Sequence, residues 1–218
     1  ANFIRCVQCN GFNHMNHNPF DPGYYTSDQL INIGFKAVGE NVRIAKNCTI
    51  IGLENIELGD NVRIDGHCSI IAAESGFAKI GSFVHIAGYC GIYAGSGFIR
   101  EDFSGLSAGV KIYTGTDDYS GRTLTNPTVP AKYTGVTFGQ VTLHRHVIVG
   151  SGTIILPGVT ANEGASIGAL SLVTKDLAPW SIYSGTPARK IRDRSKELLE
   201  LEQKLLAELS LGETKFMG

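Results

Sequence analysis

The sequence is poor in charge and in long apolar runs. Charged residues make up 18% of its 218 positions and the formal net charge is -1. The chain therefore lacks the basic face that nucleic acid or an anionic membrane calls for, and any basic site must be local. No stretch approaches the roughly 18 uninterrupted apolar residues of a membrane span. The amino terminus also lacks the basic, then apolar, then small-residue order of a secretory signal. These absences predict a soluble, cytoplasmic chain with no membrane span and no nucleic-acid partner. Five cysteines is an odd number, which argues against a disulfide framework. Cys48, Cys68 and Cys90 fall on equivalent small-residue positions of the repeat described next and read as buried thiols.

What is present is a period of six. From Val38 the blocks run "VGENVR", "IAKNCT", then "LGDNVR", "IDGHCS", "IGSFVH", "IAGYCG" and "IYAGSG"; later they return as "LHRHVI", "VGSGTI", "ILPGVT", "ANEGAS", "IGALSL" and "VTKDLA". An aliphatic residue usually opens each block and a small or β-branched one usually sits fifth, which no helix period matches. One inward aliphatic per six residues marks a parallel β-helix of short strands, three to a coil of about eighteen residues. Glycine and asparagine supply tight corners because they tolerate positive φ. Between the two runs lies "KIYTGTDDYSGRTLTNPTVP", where the repeat stops and Asp117 and Asp118 stand together. A repeat-free insertion of this length, placed at residues 114–140, is usually functional or disordered, and its prolines stiffen it.

The ends read differently. "YTSDQLINIGF" is a short helix with Thr26 as cap, Gln29 completing a capping box, Tyr25 and Leu30 as a staple and Gly34 as the stop. Near the carboxyl end Leu198, Leu201, Leu205 and Leu209 recur at helical spacing and would pack against the solenoid or a sister subunit, covering the open end of the coil stack. The division expected is an N-terminal extension (1–24), a β-helix domain (25–192) and a C-terminal helix and tail (193–218). Within the extension, Cys6, Cys9, His14 and His17 form a C-x2-C-x4-H-x2-H pattern that structural zinc would suit, and whose first three spacings resemble a zinc knuckle. His144 and His146 lack the acidic or cysteine company of a metal pair.

Over residues 34–192 these blocks, closing in "IGALSLVTKDLAPWSIYSGTPARKIRDR", resemble the hexapeptide-repeat acyltransferases. That resemblance implies an all-β fold, a left-handed parallel β-helix with an extended loop and a C-terminal α-helix. It also implies homotrimers that move an acyl group from coenzyme A, with acetyl-CoA or another short acyl-CoA as donor and no metal required. Relatives that acylate hydroxyls carry a histidine base just before the loop, since a hydroxyl needs its proton removed as it attacks; here that segment is Thr114 to Asp118, without histidine. "GTDDYSG" with the downstream "NPTVP" is most similar to the N-acyltransferases of nucleotide-linked amino sugars, the anthrose-pathway type, which serve bacterial surface glycans. An amine arrives as ammonium and wants a carboxylate that holds the cation and takes a proton.

Carried over residue by residue, the resemblance gives Asp117 as amine ligand and proton acceptor, Ser107 near the sugar, and His85 as a second catalytic candidate. His67, Asp118 and Glu101 are further acceptor contacts, though an Asp pair between glycines is often simply a turn and Glu101 with Asp102 also suits a solvated edge. Ala169, Ser171, Lys175, Pro187, Arg189 and Lys190 match the donor site, basic groups being natural phosphate partners. Two other readings stay open: sugar O-acetylation with His85 or His67 as base, and a catalytically idle binding solenoid.

Overall fold

The computed structural model describes residues 18–212. Each six-residue unit forms a strand of two or three residues and a corner, and coils stack by parallel pairing. We call the nine-stranded sheet containing Arg43–Ala45 face 1, the six-stranded sheet containing Thr49–Ile51 face 2, and the six-stranded sheet containing Ala37–Val38 face 3. From Ala37 to Val173 the chain visits face 3, face 1 and face 2 in turn, then repeats one coil further along.

Register puts like on like. On face 1, Ile44 lies against Ile64, then follow Ile86, Leu106, Val149 and Ile167. On face 2, Ile50, Ile70, Ile92, Ile112, Ile155 and Val173 do the same. All but Ile50 are buried. Stiff branched side chains fit a stacked pleat, and each such burial is worth about 1.5–3 kcal/mol. Cys68 and Cys90 are buried and Cys48 half-buried, all as free thiols. Each sulfhydryl donates to a carbonyl in the coil above: Asp65 at 3.1 Å, Ala87 at 3.2 Å and Ser107 at 3.3 Å from Cys48, Cys68 and Cys90 respectively.

The glycine and asparagine expectation holds at Asn41 (φ 53°), Asn61 (φ 56°) and several glycines, but larger residues share the corners. Where faces 1 and 2 meet, His67 (φ 60°) and Tyr89 (φ 64°) are followed up the stack by Gly109, Gly152 and Leu170 (φ 56°). Closing a three-sided coil imposes the left-handed turn, and stacking then holds larger residues in it: the His67 and Tyr89 rings lie 4.9 Å apart.

At the start, the Thr26 N–H donates to Gln29 Oε1 at 3.1 Å, the helix Ser27–Leu30 lasts one turn, and Gly34 takes φ 107°. Ahead of it Tyr24–Thr26 pairs antiparallel with Arg43–Ala45 and covers that edge of face 1. At the other end Ser181–Ser184 and Arg189–Asp193 complete face 1, antiparallel to each other. The helix Leu198–Ser210 follows. Its inward stripe differs from the leucine spacing: Leu198, Leu205 and Leu209 are half-buried, Leu201 is 65% exposed, and Glu202 takes the inner place. Glu202 bonds the Arg145 guanidinium and lies 3.0 Å from His146 Nε2. Charge at the coil corner, rather than apolar area alone, anchors this helix.

One core position is a cation. Arg100 pairs in register with Ile80 and Leu143 and is 1% exposed. Its Nε donates to Ser104 Oγ at 2.8 Å, while neither terminal guanidinium nitrogen has a partner among the described residues. Burial lowers its pKa to about 9, eased only by Cys90 nearby. A depressed base destabilises the fold fully while the pH is below the folded pKa, and the penalty shrinks progressively as the pH rises from there toward the unfolded value. Arg100→Met is therefore expected to raise stability by about 1–4 kcal/mol at neutral pH, with the gap to wild type narrowing above about pH 9. Denaturant midpoints at neutral pH and above pH 9 would check both parts.

Candidate active site

The repeat breaks where the chain leaves face 2 and must reach face 3. Thr114 is buried, its Oγ1 donates to Tyr93 O at 2.8 Å, and its carbonyl accepts the Gly139 N–H at 3.0 Å. Departure and return are thus pinned to one point, and the free excursion is 115–138, slightly inside the expected bounds. Gly115–Thr116 pairs antiparallel with Thr137–Phe138, and a short 3-10 turn at Ala131–Tyr133 follows Pro130. The arm so formed borders an open cavity of about 870 Å³ at the corner between faces 2 and 3.

Asp117 lines this cavity, with Asn126, Thr134 and Phe138 around it. Its Oδ1 accepts one hydrogen bond, from the Asn126 N–H at 3.3 Å. The carboxylate is left with acceptor capacity facing the cavity. Asp118, one residue on, is differently employed. Oδ1 accepts the Ser120 N–H at 2.8 Å, and Oδ2 accepts the Ser120 hydroxyl at 2.8 Å and that of Thr123 at 3.3 Å. The Ser120 bonds hold its pKa below the usual carboxylate range. Of the two readings of Asp118, acceptor contact or turn, the geometry favours the turn: it sets the bend that aims Asp117.

Glu74 is the residue the sequence reading missed. It sits at the same corner as the arm, one coil before Gly95, and borders both the Asp117 cavity and an adjoining trough of about 660 Å³. The trough is lined by Ile71, Tyr93, Gly95, Ser96 and Phe138, and the Tyr93 ring stacks on Tyr113 at 5.1 Å. The one available signal was the irregular "IIAAESGFAKI" between two regular blocks.

The other acceptor candidates lie elsewhere on the chain. Ser107 and His67 occupy the corner between faces 1 and 2, across face 2 from Asp117. His85 projects from face 1, its Nε2 2.8 Å from Asp65 Oδ2. Arg63 and the Tyr24 hydroxyl hold the other Asp65 oxygen at 2.7 and 2.9 Å. Burial pushes the Asp65 carboxyl up, but the hydrogen bonds from His85, Arg63 and Tyr24 outweigh it and keep it below the usual range. Glu101 faces the third corner, between faces 3 and 1, with Oε1 2.9 Å from His144 Nδ1 and Oε2 accepting the Arg145 N–H at 3.1 Å. Its contacts favour the solvated-edge reading over acceptor binding.

Of the residues matched to a donor site, Ala169, Lys175, Pro187 and Arg189 are exposed along the last coils. Lys190 pairs with Asp193 at 2.7 Å, which raises its pKa. Ser171 departs from its expected role. It is 2% exposed, donates to Gly168 O at 2.7 Å and accepts the Gly185 N–H at 3.1 Å, so its hydroxyl locks the final corner. Among the described residues no cluster of three or more His, Cys, Asp or Glu could hold a metal; Cys6, Cys9, His14 and His17 lie outside them. No described helix is long and apolar enough to cross a membrane.

No protein-family model matches the chain. Individual relatives do. The chain is 44% identical over 179 residues to the dTDP-4-amino-4,6-dideoxy-D-glucose acyltransferase of Escherichia coli, covering 82% of this chain and 93% of that one. Among solved structures it is similar to AntD, an N-acyltransferase from Bacillus cereus in complex with dTDP and 3-hydroxybutyryl-CoA. The two share 40% identity and a TM-score of 0.82, over 86% of this chain and 98% of the other. Further structures of that enzyme carry substitutions at one aspartate and at one serine ten residues before it. The polysialic-acid-specific acetyltransferase NeuO, 18% identical with a TM-score of 0.61 over 78% of this chain and 83% of that one, shares the fold. Identity at this level over most of both chains, together with the stacked three-faced coil and its arm, places the protein: it belongs to the left-handed β-helix, hexapeptide-repeat acyltransferases, in the group of the nucleotide-linked amino-sugar N-acyltransferases.

Proposed function

We propose that this protein transfers an acyl group, acetyl or a short relative, from an acyl-CoA to the amine of a dTDP-linked amino-deoxysugar. The observation that carries the reading is the Asp117 carboxylate, lining the cavity under the arm with one weak hydrogen bond of its own. The solved relative in complex with dTDP-4-amino-4,6-dideoxyglucose and coenzyme A supports the substrate class. Asp117 and Ser107 stand ten residues apart, the spacing of the substituted aspartate and serine in that relative.

In this reading the sugar amine, steadied as ammonium by Asp117, gives up a proton and its lone pair attacks the thioester carbonyl. The carbon–sulfur bond breaks and coenzyme A leaves as the thiol, so no covalent enzyme intermediate is needed. Arg189, Lys190 and Lys175 meet the donor phosphates. The protein works as a homotrimer: Ser107 and Asp117 lie at opposite edges of face 2, and a neighbouring copy would bring one subunit's arm to another's serine corner. Its setting is the cytoplasm, in the assembly of bacterial surface glycans, where nucleotide sugars and acyl-CoA are both at hand.

Ligand-induced stabilisation tests the reading. Coenzyme A and dTDP, each at about a hundred times its Kd, should each add about 2.7 kcal/mol, a Tm rise of roughly 5–10 °C. No shift with either would favour an idle binding solenoid instead.

A further inference from the structure

The charge lining the arm cavity is of one sign. Of the thirteen residues around it, Glu74 and Asp117 are the ionisable ones; neither lysine, arginine nor histidine is present. Asp117 accepts a single long hydrogen bond, and Glu74 has no side-chain hydrogen bond or ion pair among the described residues. The two residues border the cavity from different elements, one from the arm and one from the corner two coils earlier. Two carboxylate residues bordering one space favour a cation there. The opposite sign, a phosphate, is disfavoured there.

We propose that Glu74 is a specificity residue that touches the acceptor amine. With Asp117 it forms a two-carboxylate clamp for the ammonium form, and this clamp, rather than Asp117 alone, makes the enzyme prefer an amine to a hydroxyl at the same ring position. The inference rests on the amine-acylation reading above. It also places the nucleotide's diphosphate outside this cavity, along the trough or the neighbouring surface, because the clamp would repel it.

The clamp predicts two signatures that a merely structural role for Glu74 would not produce. Removing one negative charge weakens capture of the cation, so Glu74→Gln should raise KM for the amino sugar about tenfold while kcat changes little. The same loss makes the bound ammonium easier to deprotonate, because a neighbouring carboxylate stabilises the charged form. The acid limb of the kcat profile should therefore move to lower pH in the variant. Glu74→Asp should recover much of the KM.

The experiment measures steady-state rates with acetyl-CoA and dTDP-4-amino-4,6-dideoxyglucose across pH, for wild type, Glu74→Gln and Glu74→Asp, with dTDP affinity as a control for folding. A raised KM, a shifted acid limb and unchanged dTDP affinity support the clamp. Wild-type transfer to the amine with an unaltered KM and pH profile in Glu74→Gln overturns the clamp and leaves the amine reading standing. Wild-type transfer to the hydroxyl sugar in preference to the amine overturns both.

Discussion

Asp117→Asn is expected to lower kcat/KM for the amino-sugar acceptor by about a hundredfold, some 2.7 kcal/mol of transition-state stabilisation. The amide is close to isosteric, and its oxygen can still accept the Asn126 N–H that Asp117 Oδ1 accepts at 3.3 Å. The bend of the arm is set by Asp118, Ser120 and Thr123, so it should persist. What is lost is the charge that holds an ammonium and the basicity that takes its proton. An amide supplies neither, and the effect should fall on kcat as well as KM because both charge and proton are in play as the amine attacks. His85→Asn, on face 1 and bonded to Asp65, is the matched control and should change the amine reaction by less than about threefold. The reverse pattern, a large loss in His85→Asn and little in Asp117→Asn, would assign a histidine base and a hydroxyl acceptor.

Phe98→Ala is expected to cost about 3–5 kcal/mol of stability. Phe98 is 0% exposed and pairs in register with Ala78 on one side and Val141 on the other. The small Ala78 makes room for the ring, so truncation leaves a void that the stacked coils cannot close without breaking register. The position also bears on function: Val141 begins the first strand after the arm rejoins the coil, and its N–H donates to Gly97 O at 3.1 Å. Thermal unfolding should show a Tm lower by more than about 6 °C. A shift below about 2 °C would mean that the interior relaxes around the gap, contrary to a rigidly stacked core.

The fold was legible because one physical requirement repeats: each coil must bury one aliphatic residue per face, so Ile44, Ile64 and Ile86 recur at positions a reader can align. The arm was legible for the opposite reason, as the place where that requirement lapses. Its charged pair was visible, but the division of labour was not, since only the directions of the carboxylates separate Asp117 in the cavity from Asp118 in its turn. Glu74 went unseen because a lengthened corner hides in an irregular stretch whose composition is bland. Arg100 was equally silent: a register partner of Ile80 and Leu143 reads in sequence as any residue at the end of "GFIR". Ser171 fits a family position by letter, and only the structure shows that its hydroxyl is engaged by Gly168 and Gly185. Glu202, inside a leucine stripe, illustrates the same limit, because its partners Arg145 and His146 are brought close by coil stacking and not by sequence spacing.

The most direct test of amine acylation is product mass after incubating the protein with acetyl-CoA and dTDP-linked 4-amino-4,6-dideoxyglucose beside its 4-hydroxyl counterpart. The account predicts a gain of one acetyl group on the amino sugar, with free thiol appearing in equal amount, and none on the hydroxyl sugar. Acetylation of the hydroxyl sugar while the amine stays unmodified would contradict it.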